Sequence, residues 1–322
     1  MKTRAFFKIL LLGTVLTLAG RVALAETYPA HALRFVVPFP AGSATDLAAR
    51  VMANALTASL GQAIVVDNKP GAGGSIAAME VVRAVPDGYT LLFSSNSAMA
   101  SNVALLKAMP YDPRKDLAPV AAVGDNALVL MVRSEHPAKN IKEFLEHAKQ
   151  RNGNLNAGYG SSSSQISIAV LSGLGKFEVQ SVPYKGIPLA VNDVLGGTVD
   201  FTFVDLGNAM AQAKGGRLRA LGITAPKRSS LVASWPALAE TLPGFDITAW
   251  FAIAGPAAMP KDVVDKLNGA VNQALKQPAV QEKLAGVGIQ PLSMSPSELK
   301  GFVDKEVTKW VNLAREAKVQ PE

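Results

Sequence analysis

Apolar and polar positions along the chain alternate between short apolar runs and longer stretches with an apolar residue every three or four places. The first kind predicts buried strands and the second amphipathic helices. Leu33 to Val37 reads as a strand, followed by a turn at Pro38 to Gly42 and a helix with Leu47, Val51, Ala55 and Leu60 on one face. Ile64 to Val66 is the next strand, Asn68 to Gly74 a glycine-rich loop, Ser75 to Val85 a helix, and Leu91 to Phe93 a third strand. The pattern restarts at Leu128 with a strand to Val132, a helix Ile141 to Gln150, a strand Leu155 to Ala157 and a helix near Ile166 to Leu171. Strand Glu178 to Val182, a helix near Leu189 to Leu195, and strands Val199 to Val204 and Leu218 to Ile223 complete this set. Trp250 to Ala254 is then a strand, with helices from Lys261 and Val280. The last helix opens on Ser295-Pro-Ser-Glu298, a capping box with proline at its first position, and buries Leu299, Phe302, Val303, Val307 and Trp310.

Such alternation predicts an α/β fold with largely parallel sheets. Its restart predicts two lobes, residues 26–124 with 250–322 and residues 125–249, with chain crossings near Val123 to Ala127 and Asp246 to Phe251. Residues 1–25 stand apart from both. Lys2, Arg4 and Lys8 precede the apolar run Ile9 to Leu18, and Ala23-Leu24-Ala25 supplies small residues for cleavage after Ala25. The run is shorter than the ~20 residues that span a bilayer, so the reading is a removed export signal and a periplasmic mature chain.

Export changes the meaning of the charge. The formal net charge of +7 includes Lys2, Arg4, Lys8 and Arg21, and without them 28 basic residues face 25 acidic ones. No dense Lys/Arg block remains, which argues against nucleic acid as a partner. The chain has no cysteine, excluding a disulfide framework, a thiolate nucleophile and lipid attachment at the mature N-terminus. The remaining 297 residues rely on their apolar cores, and a chain of that length usually forms two.

Three loops carry the candidate chemistry, because ligands of parallel α/β sheets sit where strands lead into helix N-termini. In the first, Ala41, Gly42, Ser43, Ala44 and Thr45 precede Asp46, and the resulting helix start offers backbone N–H groups and a dipole to a carboxylate. Asp46 reads as a cap rather than a catalyst. The second, Asn68 to Ser75, includes Gly73 and fits neither a dinucleotide fingerprint nor a P-loop. In the third, Tyr159 and Gly160 lead into Ser161, Ser162, Ser163 and Ser164, which would close on the same ligand from the other lobe or form a flexible linker. Ser94 to Ser97, Tyr159, Tyr184 and Asp205 follow strand ends and are expected along the distal cleft. Asp205 either favours an ammonium or hydroxyl on the ligand or caps the helix after it.

The serines lack the context of a nucleophile. There is no Gly-x-Ser-x-Gly elbow, and His31, His136 and His147 read as scattered surface histidines without the spacing of a triad or metal site. No cofactor is expected.

Beyond these local readings, Val65-Val-Asp-Asn-Lys-Pro-Gly-Ala-Gly-Gly74 followed by Pro86-Asp-Gly-Tyr-Thr-Leu-Leu92 resembles the hallmark of the Bug family, receptors of tripartite tricarboxylate transporters. Pro38 to Asp46, Pro183-Tyr-Lys-Gly186 and Gly196 to Phe201 are similar to other segments of that family, in order, over essentially the whole mature chain. The resemblance implies a periplasmic binding protein of Venus flytrap architecture, two Rossmann-like lobes closing on a dicarboxylate, amino acid or aromatic acid. It implies a carboxylate held by backbone amides, hydroxyls and water, with residues 41–45 and 158–164 as pincers and membrane subunits as possible partners of a monomer. Two positions depart from the family pattern: a serine tract leads into Ile166 where glycine and a histidine-leucine pair are usual, and Ala77 replaces a glycine. The competing expectations are an exported serine-dependent hydrolase and an adhesive envelope protein.

Overall fold

A computed structural model describes residues 28–151 and 153–321, and the expected export signal lies outside them. β1 (Leu33–Val37) turns Leu33, Phe35 and Val37 to one side and Val36 to the other, and both sides are buried. This is why its sequence is apolar on both faces except at Arg34, which pairs with Asp67 and Glu80. β2 (Ile64–Asn68) and β3 (Thr90–Ser95) flank it in parallel. The connections are α1 (Ala44–Leu60) and α2 (Ser75–Val82).

The buried face of α1 is not the expected one. Ala48, Ala49, Met52, Ala53 and Leu56 face the sheet, while Val51, Ala55 and Leu60 pack along the margin of that core. Small side chains let the helix axis lie close to the strands, so alanines mark the contact line and the larger residues flank it.

β3 runs into a turn over Ser97–Ser101 and the short α3 (Asn102–Leu105). β4 (Leu117–Arg133) then extends for 17 residues, of which only the end is expected from the sequence. Its first part carries Pro119, Ala121, Ala122 and Gly124, with register shifts between 119 and 121 and between 122 and 124. In this first part β4 pairs antiparallel with β9 (Thr248–Pro256), which also pairs antiparallel with β3.

Beyond Ala127 the same strand joins a second group. There it pairs antiparallel with β7 (Phe201–Asp205) and β8 (Leu218–Ile223). β5 (Asn156–Tyr159) lies parallel to β7 and to β6 (Gln180–Pro183). The strand order is β2-β1-β3-β9-β4-β7-β5-β6. The expectation of largely parallel sheets is therefore corrected to mixed ones. Strands β2-β1-β3 and β6-β5-β7 are parallel, whereas β4 and β9 run antiparallel to each other and to their other neighbours.

The second group is covered by α4 (Ile141–Gln150), α5 (Ser162–Gly175), α6 (Ile187–Gly196) and α7 (Leu206–Lys214). After β9 the chain returns to the first group with α8 (Lys261–Leu275), α9 (Pro278–Gly286), β10 (Gln290–Pro291), which pairs with β4, and α10 (Pro296–Glu316). The architecture is the expected α/β one with two lobes. Among the described residues no helix is long and apolar enough to cross a membrane.

α10 begins with the expected capping box. Ser295 Oγ accepts the Glu298 N–H at 3.2 Å and Glu298 Oε2 accepts the Ser295 N–H at 2.8 Å. Its Leu299, Val303, Val307 and Trp310 are buried against the first group. Glu306 Oε2 also accepts both indole N–H groups, Trp250 at 2.7 Å and Trp310 at 2.9 Å, tying α10 to the β9 crossing. Removing the acceptor leaves two buried donors unsatisfied, at about 1–3 kcal/mol each. Glu306→Ala is therefore expected to lower stability by roughly 2–5 kcal/mol in chemical denaturation, and Glu306→Gln, which keeps an acceptor oxygen, to restore most of the loss.

Candidate functional site

The first pincer is built by the end of β1 and the start of α1. Ser43 caps the helix by accepting the Asp46 N–H on Oγ at 3.3 Å. The Asp46 carboxylate accepts the Gly42 N–H at 3.0 Å, Asn68 Nδ2 at 3.0 Å and the Arg50 guanidinium at 3.0 Å. Burial alone would raise its pKa, but these bonds outweigh burial and hold it below the usual carboxylate range. Asp46 therefore fixes the loop. Ala41 and Gly42 are exposed, whereas Ser43, Ala44 and Thr45 turn inward.

The second pincer is the start of α5. Ser161 Oγ accepts the Ser164 N–H at 3.2 Å, while Ser164 Oγ accepts the N–H groups of Gly160 and Ser161, each at 3.1 Å. The serine tract is thus an ordered helix start and not a flexible linker. Gly160 is required by close approach, since a Cβ there would lie 2.1 Å from the Gly186 carbonyl carbon and 2.3 Å from the Ile187 nitrogen.

Between the pincers lies a cavity of about 20 Å³. Ser43, Ala44, Thr45, Ser95 and Asn96 line it from one side, Gly160, Ser161, Ser163 and Asp205 from the other, with Phe39, Ile187, Ala249 and Phe251 as apolar walls. No lysine, arginine or histidine is among its lining residues. The first-turn N–H groups of both helices have no partner within their own helix, and the two dipoles present positive ends to the same space.

Hydrogen bonds join the two lobes beside this cavity. Asn96 Nδ2 donates to Ser163 Oγ at 3.0 Å, and Ser163 Oγ in turn donates to Asn96 Oδ1 at 3.2 Å. Ser162 Oγ bonds Ser97 Oγ at 2.7 Å and also Ser101 Oγ. At the rim, Asn208 Nδ2 donates to the Gly42 carbonyl at 3.2 Å.

Asp205 ends β7 at the N-cap position of α7, yet its side chain makes no capping bond there. The carboxyl lines the deep cavity, and burial pushes its pKa up to about 6. The Asn126 side chain, its own N–H and the Ala44 N–H act in the opposite direction. Asn126 is itself buried, and neither of its amide atoms has a geometrically sound hydrogen-bond partner.

A larger outer cavity, about 310 Å³, adjoins the deep one and shares Phe39, Gly160 and Ser161 with it. Gly73 and its loop line it with Asn102 on one side, and Tyr159, Ser162, Tyr184 and Lys185 on the other. Tyr184 donates its hydroxyl to Asp193 Oδ2 at 2.6 Å, and burial together with Asp193 pushes its pKa up to about 12. Ser94 is fully buried, donates to the Ser95 carbonyl and lines neither cavity. Ser97 and Ser164 act on the pincers without lining either one.

Residues the sequence reading did not single out include Phe39, Asn102, Lys185, Ile187, Ala249 and Phe251. Lys185 sits inside the Pro183 to Gly186 segment, and Ser95 and Asn96 inside the Ser94 to Ser97 run. The expectation of scattered surface histidines is corrected as well. His136 is half-buried and its ring lies 4.8 Å from that of His147, and burial and then the His147 charge lower the His136 pKa. His31 is exposed and stacks on Tyr89. No histidine lines either cavity, so no cavity serine has an imidazole base in that space. Among the described residues no group of His, Asp and Glu is placed to hold a metal.

Residues 48–319 match the family model described as the tripartite tricarboxylate transporter family receptor, TctC. Protein BugT of Bordetella pertussis is 35% identical over 313 residues, covering 95% of each chain. Among solved structures, the periplasmic binding protein BugD superposes with a TM-score of 0.87 at 31% identity, covering 92% of this chain and all of that one. A Rhodopseudomonas palustris protein solved with adipate gives a TM-score of 0.89 at 30% identity, covering 92% of this chain and all of its own. MatC from the same organism, solved with bound malate, gives 0.84 at 32% identity, covering 89% of this chain and 99% of its own. With two lobes, a polar cleft between facing helix N-termini and a family match over most of its length, the chain belongs to the tripartite tricarboxylate transporter receptor family and is one of its Bug-type solute-binding receptors.

Proposed function

We propose that this receptor is exported, captures a small carboxylate between residues 26–124 with 250–322 and residues 125–249, and releases it chemically unchanged. The observation that carries the reading is the convergence of the α1 and α5 N-termini on one cavity that no lysine or arginine lines. In such a cavity backbone N–H groups and hydroxyls are the donors for a carboxylate. The relatives solved with adipate and malate support the ligand class.

The binding residues in this reading are Ser43, Ala44 and Thr45 against Gly160, Ser161 and Ser163 for the carboxylate. Asn96, Ser97 and Ser162 latch the closed form, and Gly73, Tyr159, Tyr184 and Lys185 surround the rest of the ligand. Closure follows from differential affinity, because a ligand that bridges both pincers binds only the closed form fully. The mature chain acts as a periplasmic monomer, with membrane subunits of a tripartite transporter as its partners.

A thermal-shift screen of dicarboxylates, amino acids and aromatic acids tests the reading. A ligand at 100 times its Kd adds about 2.7 kcal/mol to stability by mass action, a rise of roughly 4 °C or more for a chain of this size. The bound compound is expected back intact after prolonged incubation. A flat panel contradicts carboxylate capture, and recovery of a cleaved product contradicts the receptor role in favour of a serine-dependent hydrolase.

A further inference from the structure

The deep cavity is asymmetric in a way that carboxylate capture alone does not explain. Asp205 is its one charged lining residue, 8% exposed, with no lysine or arginine among the described residues acting on it. Burying a carboxylate with no cation beside it is costly, the Asn126 side chain and the Ala44 and Asp205 N–H groups only partly offset that cost, and here a ligand carboxylate would arrive beside it. Asn or Ser would line the same space without that repulsion. An acid at this place is therefore explained by a partner that donates to it.

We infer that Asp205 is a specificity-determining residue that accepts a hydrogen bond from an ammonium or hydroxyl on the carbon next to the ligand's carboxylate, so that the preferred ligands are 2-amino and 2-hydroxy carboxylates. The inference rests on the carboxylate seat proposed above. Its geometry is local. Asp205 lies close enough to the Ala44 N–H, at the start of α1, for that group to act on its carboxyl. A ligand carboxylate seated at that helix start therefore lies in the cavity that Asp205 also lines. The rest of the ligand then extends into the outer cavity, where Lys185 is the charged lining residue.

Calorimetric titration at pH 7.5 with matched sets tests this: succinate, malate and aspartate, then propionate, lactate and alanine. Within each set the members differ only in hydrogen, hydroxyl or ammonium at the second carbon. A hydrogen bond to a charged group contributes about 1.5–3 kcal/mol, so a member bearing the donor is expected to bind roughly 10- to 100-fold more tightly than the bare one. Asp205→Asn is expected to reduce that ratio to about threefold or less, mainly by weakening the donor-bearing member.

An unsubstituted carboxylate that binds the native protein as tightly as its 2-amino and 2-hydroxy partners overturns the inference and leaves carboxylate capture standing. So does an Asp205→Asn variant that weakens every member equally, which would make the residue structural. If only carboxylates outside both sets bind, and none carries a donor at the second carbon, the inference also fails. Failure of the proposed function is distinguished by silence across the whole thermal-shift panel.

Discussion

Asp205→Asn is expected to make the ligand-free protein more stable at pH 7.5 while making it a poorer receptor. The carboxyl's pKa is raised from 3.8 to about 6, first by burial. A group whose pKa is raised by folding contributes stability that is fully present below its unfolded value and lost as pH rises through its folded value. Between about pH 4 and pH 6 the native protein therefore loses what a neutral Asp205 would keep. A shift of about two units at 1.36 kcal/mol each corresponds to roughly 3 kcal/mol. Chemical denaturation of the native chain and of Asp205→Asn at intervals from pH 4 to pH 8 checks this. The two stability curves are expected to approach each other at the acid end and separate by up to about 3 kcal/mol at neutral pH, the variant being higher. Parallel curves across the range would show that Asp205 is not a strained acid.

The second large effect is expected at Gly186, where the two lobes touch at the rim. Its φ of 178° is extended backbone open to any residue, so local conformation does not demand glycine there. A Cβ would instead lie 2.6 Å from both Cδ and Cγ of Pro40, on the opposite lobe, and the proline ring cannot bend away. Gly186→Ala is thus expected to hold the rim about 1 Å further apart than the closed form requires. The Asn96–Ser163 and Ser97–Ser162 bonds lie beside the pincers that would then fail to meet. Affinity is expected to fall at least tenfold, because a ligand that no longer distinguishes closed from open gains nothing by closing. The Tm without ligand is expected to move by no more than about 2 °C, the scale of a surface substitution. A drop in ligand-free stability with unchanged affinity would place Gly186 in folding rather than closure.

Much of this arrangement was legible in the sequence wherever the determining contacts are local. β1, α4 and β8 occur at the residues the periodicity predicts, since each is an apolar run or amphipathic face with clear boundaries. The helix start at Ser43 and the capping box at Ser295 were readable for the same reason, whereas the serine tract gave no hint that Ser161 would cap α5 or that Ser164 would take two backbone N–H groups. The start of β4 was not readable. Pro119, Ala121, Ala122 and Gly124 lack strand character, and they lie in a strand because β9 pairs along its length and β10 joins it at Gly124 and Asp125.

The site divides along the same line. Ser43 to Thr45 and Ser161 to Ser163 could be proposed because helix starts advertise themselves within four residues. Asn96 could not be linked to Ser163, because the two are 67 residues apart and meet only when the lobes are placed. Phe251 and Ile187 look like any core residue until the crossing of β9 and the start of α6 bring them to the cavity wall. His136 and His147 meet by the same kind of tertiary accident, one before Pro137 and one on α4.

A crystal structure with the carboxylate that gives the largest thermal shift tests the central claim most directly. Its carboxylate oxygens are expected within hydrogen-bonding distance of backbone N–H groups or hydroxyls from both Ser43–Thr45 and Ser161–Ser163. A ligand held by one lobe alone, or seated outside this cleft, would contradict it.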